Sequence, residues 1–209
     1  MTELGELELD ALTEIFNVGV GMAADALYQM GGEHVPLSVP VVELTSQQAA
    51  IRHYQAQEQR PLCAIRQTYS GEFSTDAILM FPEDNSLELV RLIVGGDLPA
   101  EQLAGMAQDA MAEIGNIVLN AVISNLSSTL NLPLEGSLPT VSVLRPDGIF
   151  SQDANSNSGS VESAPLLALM IDFQLSTRGV NGYLAFLLDV PACEKLGKRL
   201  TQFVNGSLA

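Results

Sequence analysis

A chain of 209 residues that is 47% hydrophobic has enough apolar side chains to bury a sizeable core, so disorder is not the expectation. Its 25 acidic and 9 basic residues give a formal net charge of −16, which repels nucleic acid phosphates and anionic lipid and excludes both as general partners. Two distant cysteines, Cys63 and Cys193, make no disulfide framework. With no leader pattern at Met1 and no apolar run long enough to span a membrane, the expectation is a soluble, cytoplasmic protein.

The first element is a helix from about 6 to 30, where Leu9, Leu12, Phe16, Ala23, Ala26 and Met30 recur mostly at steps of three and four. Gly31-Gly32 stops it. Strands are predicted at 36–44, 61–69 and 77–81, then a short helix at 85–94 that ends at Gly95-Gly96. Asp97 can cap the next helix, with Pro99 in its first turn, and that helix runs over 100–130. A strand at 139–144 follows. Residues 146–163 are polar and rich in Ser, Asn and Gly, and read as a flexible loop. Strands at 164–175 and 182–188 and a helix at 191–204 complete the chain. Trp is absent and aromatics are few, so Leu, Val, Ile, Ala and Met must build the core, and most methionines fall on apolar stripes.

The order helix, three strands, helix occurs twice. Residues 77–96 also resemble 185–206, each a buried strand followed by an amphipathic helix ending in Gly. The expectation is an α+β fold built as one domain from two repeats, about 1–97 and 98–209.

The chemistry-bearing pattern lies on the two long helices. Asp10, Glu14 and Asn17 read Asp-x3-Glu-x2-Asn, and Asp109, Glu113 and Asn116 repeat it at an offset of 99 residues. Pro40 and Pro139 keep the same offset, each 23 residues beyond its Asn. Steps of four and three put each trio on one narrow helix stripe. Gly21 and Asp25 continue the first stripe, and Asn120 and Ser124 the second. At about 100° per residue, Leu12, Phe16, Ala23 and Met30 lie on roughly the opposite face of the first helix, and Met111, Val118 and Val122 on that of the second. One Glu/Asn pair on a polar face is ordinary surface chemistry. Two copies at matched positions, each with a poor helix former in mid-helix, need another reason.

Other chemistries lack their residues. His34 and His53 are isolated and have no metal-ligand spacing, which assigns them to loops or surface. Gly19-Val20-Gly21 lies inside a helix pattern and follows no strand, so it is no dinucleotide loop; Gly21 instead leaves room for a partner beside Asn17. No Gly-x-Ser-x-Gly or Walker pattern occurs, which disfavours a general small-molecule enzyme.

The doubled pattern, Asp-Ala-Leu-Thr-Glu-Ile-Phe-Asn completed by Pro40 and Asp-Ala-Met-Ala-Glu-Ile-Gly-Asn completed by Pro139, resembles the signature of the CheC/CheX/FliY phosphatases. The resemblance covers essentially the whole chain. It is greatest to the two-site CheC form, without the extra flagellar-switch domain of FliY. It implies a β-sheet with the two signature helices packed on one face in pseudo-twofold halves. It implies hydrolysis of the aspartyl phosphate of a CheY-like response regulator, ending a chemotaxis signal. On this likeness Asn17 and Asn116 enter the regulator's site and orient the attacking water, while Glu14 and Glu113 pair with its phosphate-contacting lysine. Asp10 and Asp109, with Gly21 and Asn120, would support or dock. No metal site or cofactor is expected in this chain; Mg²⁺ would belong to the regulator. The alternative is a non-enzymatic adaptor that regulates a CheD-type receptor deamidase.

Overall fold

Apolar side chains at steps of three and four carry the two longest helices, and the computed structural model describes both among residues 4–32, 41–94, 99–151, 165–175 and 178–208. The first half contains α1 (Glu6–Gly31), β1 (Val41–Ser46), α2 (Gln47–Gln57), β2 (Leu62–Gly71), β3 (Thr75–Pro82) and α3 (Glu83–Val94). The second contains α4 (Ala100–Leu130), β4 (Leu134–Gly136), β5 (Thr140–Leu144), α5 (Pro146–Ser151), β6 (Pro165–Leu175), β7 (Arg178–Leu188) and α6 (Val190–Val204).

Helix ends follow local chemistry. At the end of α1, Gly32 takes the left-handed conformation at φ 71°, and its N–H donates to the Tyr28 carbonyl at 2.8 Å. Asn131 closes α4 in the same way at φ 50°. Pro99 stands at the N-cap of α4 rather than in its first turn. The expected cap, Asp97, lies outside the described residues, as do Pro40 and His34.

All strand pairs are antiparallel, in the order β1-β6-β7-β3-β2-β4, with β5 also on β2. β3 and β7 form the centre. Outside them lie β2 and β6, then β5 and β1. The order therefore reads the same from either edge once the short β4 is set aside. Each half's first strand closes on the other half: β1 pairs with β6, and β5 with β2.

Side chains alternate across the sheet. Ala77, Leu79 and Phe81 of β3 enter a core with α1, α4, α3 and α6; Ile78 and Met80 point to the opposite face. There Tyr54 of α2 stacks on Phe150 of α5, with ring centroids 5.8 Å apart.

Those two short helices correct the sequence reading. The first half reads helix, strand, helix, two strands, helix, and the second reads the same apart from the extra short β4. α2 was unexpected because Gln47–Gln57 is largely polar and, among its described side chains, buries only Gln47, Ala50 and Tyr54. Residues 146–151, expected as loop, form α5 because Ile149 and Phe150 are buried against the sheet. The rest of that expected loop, 152–163, lies outside the described residues. His53 is exposed on α2, at the surface as expected.

Candidate functional site

Two glycines and two phenylalanines set how the signature helices sit. A Cβ at Gly19 would lie 2.9 Å from the Val122 Cα, so α1 and α4 meet there backbone to backbone. Asn125 of α4 ties the crossing by donating to the Ile15 carbonyl at 2.6 Å. Below, Phe16 stacks on Phe186 of β7 with centroids 5.3 Å apart. Gly115, which has the place of Phe16 in the second motif, lies against Ile65 of β2 with no room for a side chain. One helix stands on the sheet through an aromatic stack and the other through its backbone resting on the Ile65 side chain.

This seating turns the polar stripes outward. Asp10, Glu14 and Gly21 are exposed, and Asn17 is half-buried. Asp109 and Glu113 are exposed; Asn116 and Asn120 are half-buried. Leu12, Phe16 and Ala23 on the opposite face are fully buried, as are Met111, Val118 and Val122 to within 1%. Each helix thus presents a free carboxylate with a carboxamide at the margin of the packed surface. Among the described residues, nothing outside its own stretch of helix backbone lies within 4 Å of where a Gly21 side chain would begin.

The two asparagines differ in their surroundings. Asn120 donates through Nδ2 to the Asn116 Oδ1 at 2.8 Å. The Tyr69 hydroxyl lies 2.9 Å from the Asn120 Oδ1 and 3.0 Å from the Gln67 Oε1, and Gln67 donates through Nε2 to the Ser137 carbonyl at 2.7 Å. Burial raises the Tyr69 hydroxyl pKa well above its ordinary value, so it stays a donor. Asn17 makes no side-chain hydrogen bond among the described residues.

Exposed apolar residues near the stripes were missed in the sequence. Leu7 is 68% exposed and Met106 is 45% exposed, each three residues before its aspartate and separated by the same offset of 99. Met22 is exposed too, so the expectation that most methionines lie in the core fails for two of them; Met80 and Met111 are buried. The signal available was the position of Leu7 and Met106 on the polar stripe rather than the apolar one.

Among the described residues no group of three or more His, Cys, Asp or Glu is placed to hold a metal ion. No described helix is long and apolar enough to cross a membrane.

No family model matches the chain. Over 194 residues it is 24% identical to the CheY-P phosphatase CheC of Bacillus subtilis, which covers 91% of this chain and 92% of that protein. The structure of Thermotoga maritima FliY superposes with a TM-score of 0.73 at 19% identity, over 97% of this chain and 100% of that one. A chain of the CheX–CheY–BeF3–Mg²⁺ complex from Borrelia burgdorferi gives a TM-score of 0.50 at 15% identity, over 82% of this chain and 96% of that one. The fold is the α+β fold of these chemotaxis proteins, with a Glu/Asn pair on the outward stripe of each of its two long helices. The chain is similar to CheC along nearly its whole length and shares its fold with FliY.

Proposed function

We propose that this chain is a phosphatase that hydrolyses the aspartyl phosphate of a CheY-like response regulator in the cytoplasm. The observation that carries the reading is the exposed Asp-x3-Glu-x2-Asn stripe, present on both long helices of a chain related along nearly its whole length to a CheY-P phosphatase.

An aspartyl phosphate is an activated acyl phosphate and needs little covalent help. Water attacks phosphorus in line, a new P–O bond forms, and the bond to the aspartyl oxygen breaks. Inorganic phosphate leaves, the regulator's carboxylate is restored, and the water's protons end on phosphate or solvent. A carboxamide suits the positioning of that water, because it accepts and donates hydrogen bonds without adding charge beside the phosphoryl group. Asn17 and Asn116 take that role. Glu14 and Glu113 pair with the regulator's lysine and set the register of docking. Asp10 and Asp109 extend the acidic stripe, and Leu7 and Met106 add apolar area to each docking face. Mg²⁺ is assigned to the regulator.

The test is dephosphorylation of a phosphorylated CheY homologue by Asn17→Ala, Asn116→Ala and the double variant, with folding checked by circular dichroism. Removing a positioning carboxamide is expected to lower turnover at its site by about a hundredfold or more. Each single variant therefore retains the other site's activity, and the double variant approaches spontaneous hydrolysis. A folded double variant with full turnover overturns the reading. If that variant instead keeps full control of a CheD-type deamidase while the wild type hydrolyses nothing, the adaptor reading takes its place.

A further inference from the structure

The hydrogen-bond chain behind Asn116 is built at one site only, from residues of both halves. It runs from the Ser137 carbonyl through Gln67, the Tyr69 hydroxyl and Asn120 to the Asn116 Oδ1. Its polarity is internally consistent. Gln67 gives its N–H to Ser137, so its oxygen faces Tyr69. Asn120 gives its N–H to Asn116, so its oxygen also faces Tyr69, and the phenolic hydrogen serves both acceptors. The chain is anchored in rigid structure, because Gln67 and Tyr69 are each 2% exposed on β2. Gly136 allows the close fit: a Cβ there would lie 2.8 Å from both the Gln67 Nε2 and the Tyr69 ring, and 3.3 Å from the Asn120 Oδ1.

The first site lacks both middle members. Gly21 stands where the second motif has Asn120. Tyr69 lies three residues past Arg66, which pairs with Thr140; the matching place, three past Met170, which pairs with Val41, holds Phe173 and so has no hydroxyl.

We propose that Asn120, Tyr69 and Gln67 are positioning residues for the second site, holding the Asn116 carboxamide in one orientation before the regulator docks, whereas Asn17 is oriented only on docking. One lone pair of the Asn116 oxygen is occupied, and the other lone pair and both N–H groups remain for water and partner. Orientation set in advance removes an entropic cost from the reacting complex. The proposal rests on the phosphatase reading.

The experiment separates the two sites. In an Asn17→Ala background only the second site works; in an Asn116→Ala background only the first. Tyr69→Phe and the near-isosteric Asn120→Asp, which loses the donor, are placed in each background and assayed at varied regulator concentration. The expected result is a drop in second-site kcat of between about ten- and a hundredfold with KM nearly constant, and no comparable loss at the first site. Equal losses at both sites mean a general structural defect and overturn the proposal, as does no loss at either. A readout independent of catalysis is the side-chain amide NMR signal of Asn116 in the free protein. It is expected to move on Tyr69→Phe, while that of Asn17 stays. An unmoved Asn116 signal overturns the positioning role even if the phosphatase reading stands. Persistent full turnover in Asn17→Ala/Asn116→Ala overturns the phosphatase reading, with the NMR result still deciding whether the hydrogen-bond chain orients Asn116.

Discussion

Two carboxamides of identical type differ because of what stands one helical turn away: Gly21 beside Asn17, and Asn120 beside Asn116. The motif residues themselves were legible, since type and spacing repeat along the chain. The support behind Asn116 was not, because Gln67 and Tyr69 come from a strand more than forty residues earlier and only folding brings them to α4. Burial acts on single residues elsewhere too. Cys63 on β2 is 3% exposed, and loss of solvent pushes its thiol up to about 11. At neutral pH only about one thiol in ten thousand is then ionised. Cys193, partly buried, is likewise raised to about 11. Iodoacetamide at pH 7.5 is therefore expected to leave Cys63 unmodified in the folded protein and to label it rapidly in denaturant, as read by mass spectrometry. Fast stoichiometric labelling of native Cys63 would contradict this burial.

At the scale of elements, close approach decides the effect of small substitutions. Gly19→Ala adds helix propensity of about 1 kcal/mol, but the new methyl meets the Val122 backbone at 2.9 Å and cannot rotate away. Overpacking of this kind costs roughly 1–3 kcal/mol, so the variant is expected to unfold at lower urea concentration than wild type. Gly21→Ala, two residues on with open space around it, is expected to stabilise by about 0.5–1 kcal/mol. A midpoint raised by both changes would show that the helices are not in contact at Gly19. Long helices and buried strands were legible from their periods. α2 and α5 were not, because each is held by one or two aromatic contacts under the sheet rather than by a continuous apolar stripe.

Across the whole molecule, charge and topology have separate consequences. A net charge of −16 surrounds sites whose assigned partner group is a lysine. Steering by that field weakens as the Debye length shrinks from roughly 30 Å at 0.01 M salt to roughly 8 Å at 0.15 M. The kcat/KM for a phosphorylated regulator is expected to fall over this range, mostly through KM, in steady-state assays at fixed pH. A salt-independent KM would count against the glutamate–lysine pairing. The doubled element order was partly legible from the 99-residue offset, but the strand order was not, because no local pattern says which edge a strand joins. That strand order exchanges the outermost strands between the halves, β1 closing on β6 and β5 on β2. Cutting the chain near residue 97 would therefore not yield two small proteins. Each piece would lose the neighbour of its own second strand and expose an unpaired edge, and two pieces would recover the complete sheet only by joining. The two sites are consequently bound into one folding event, and neither can be lost by truncation without the other.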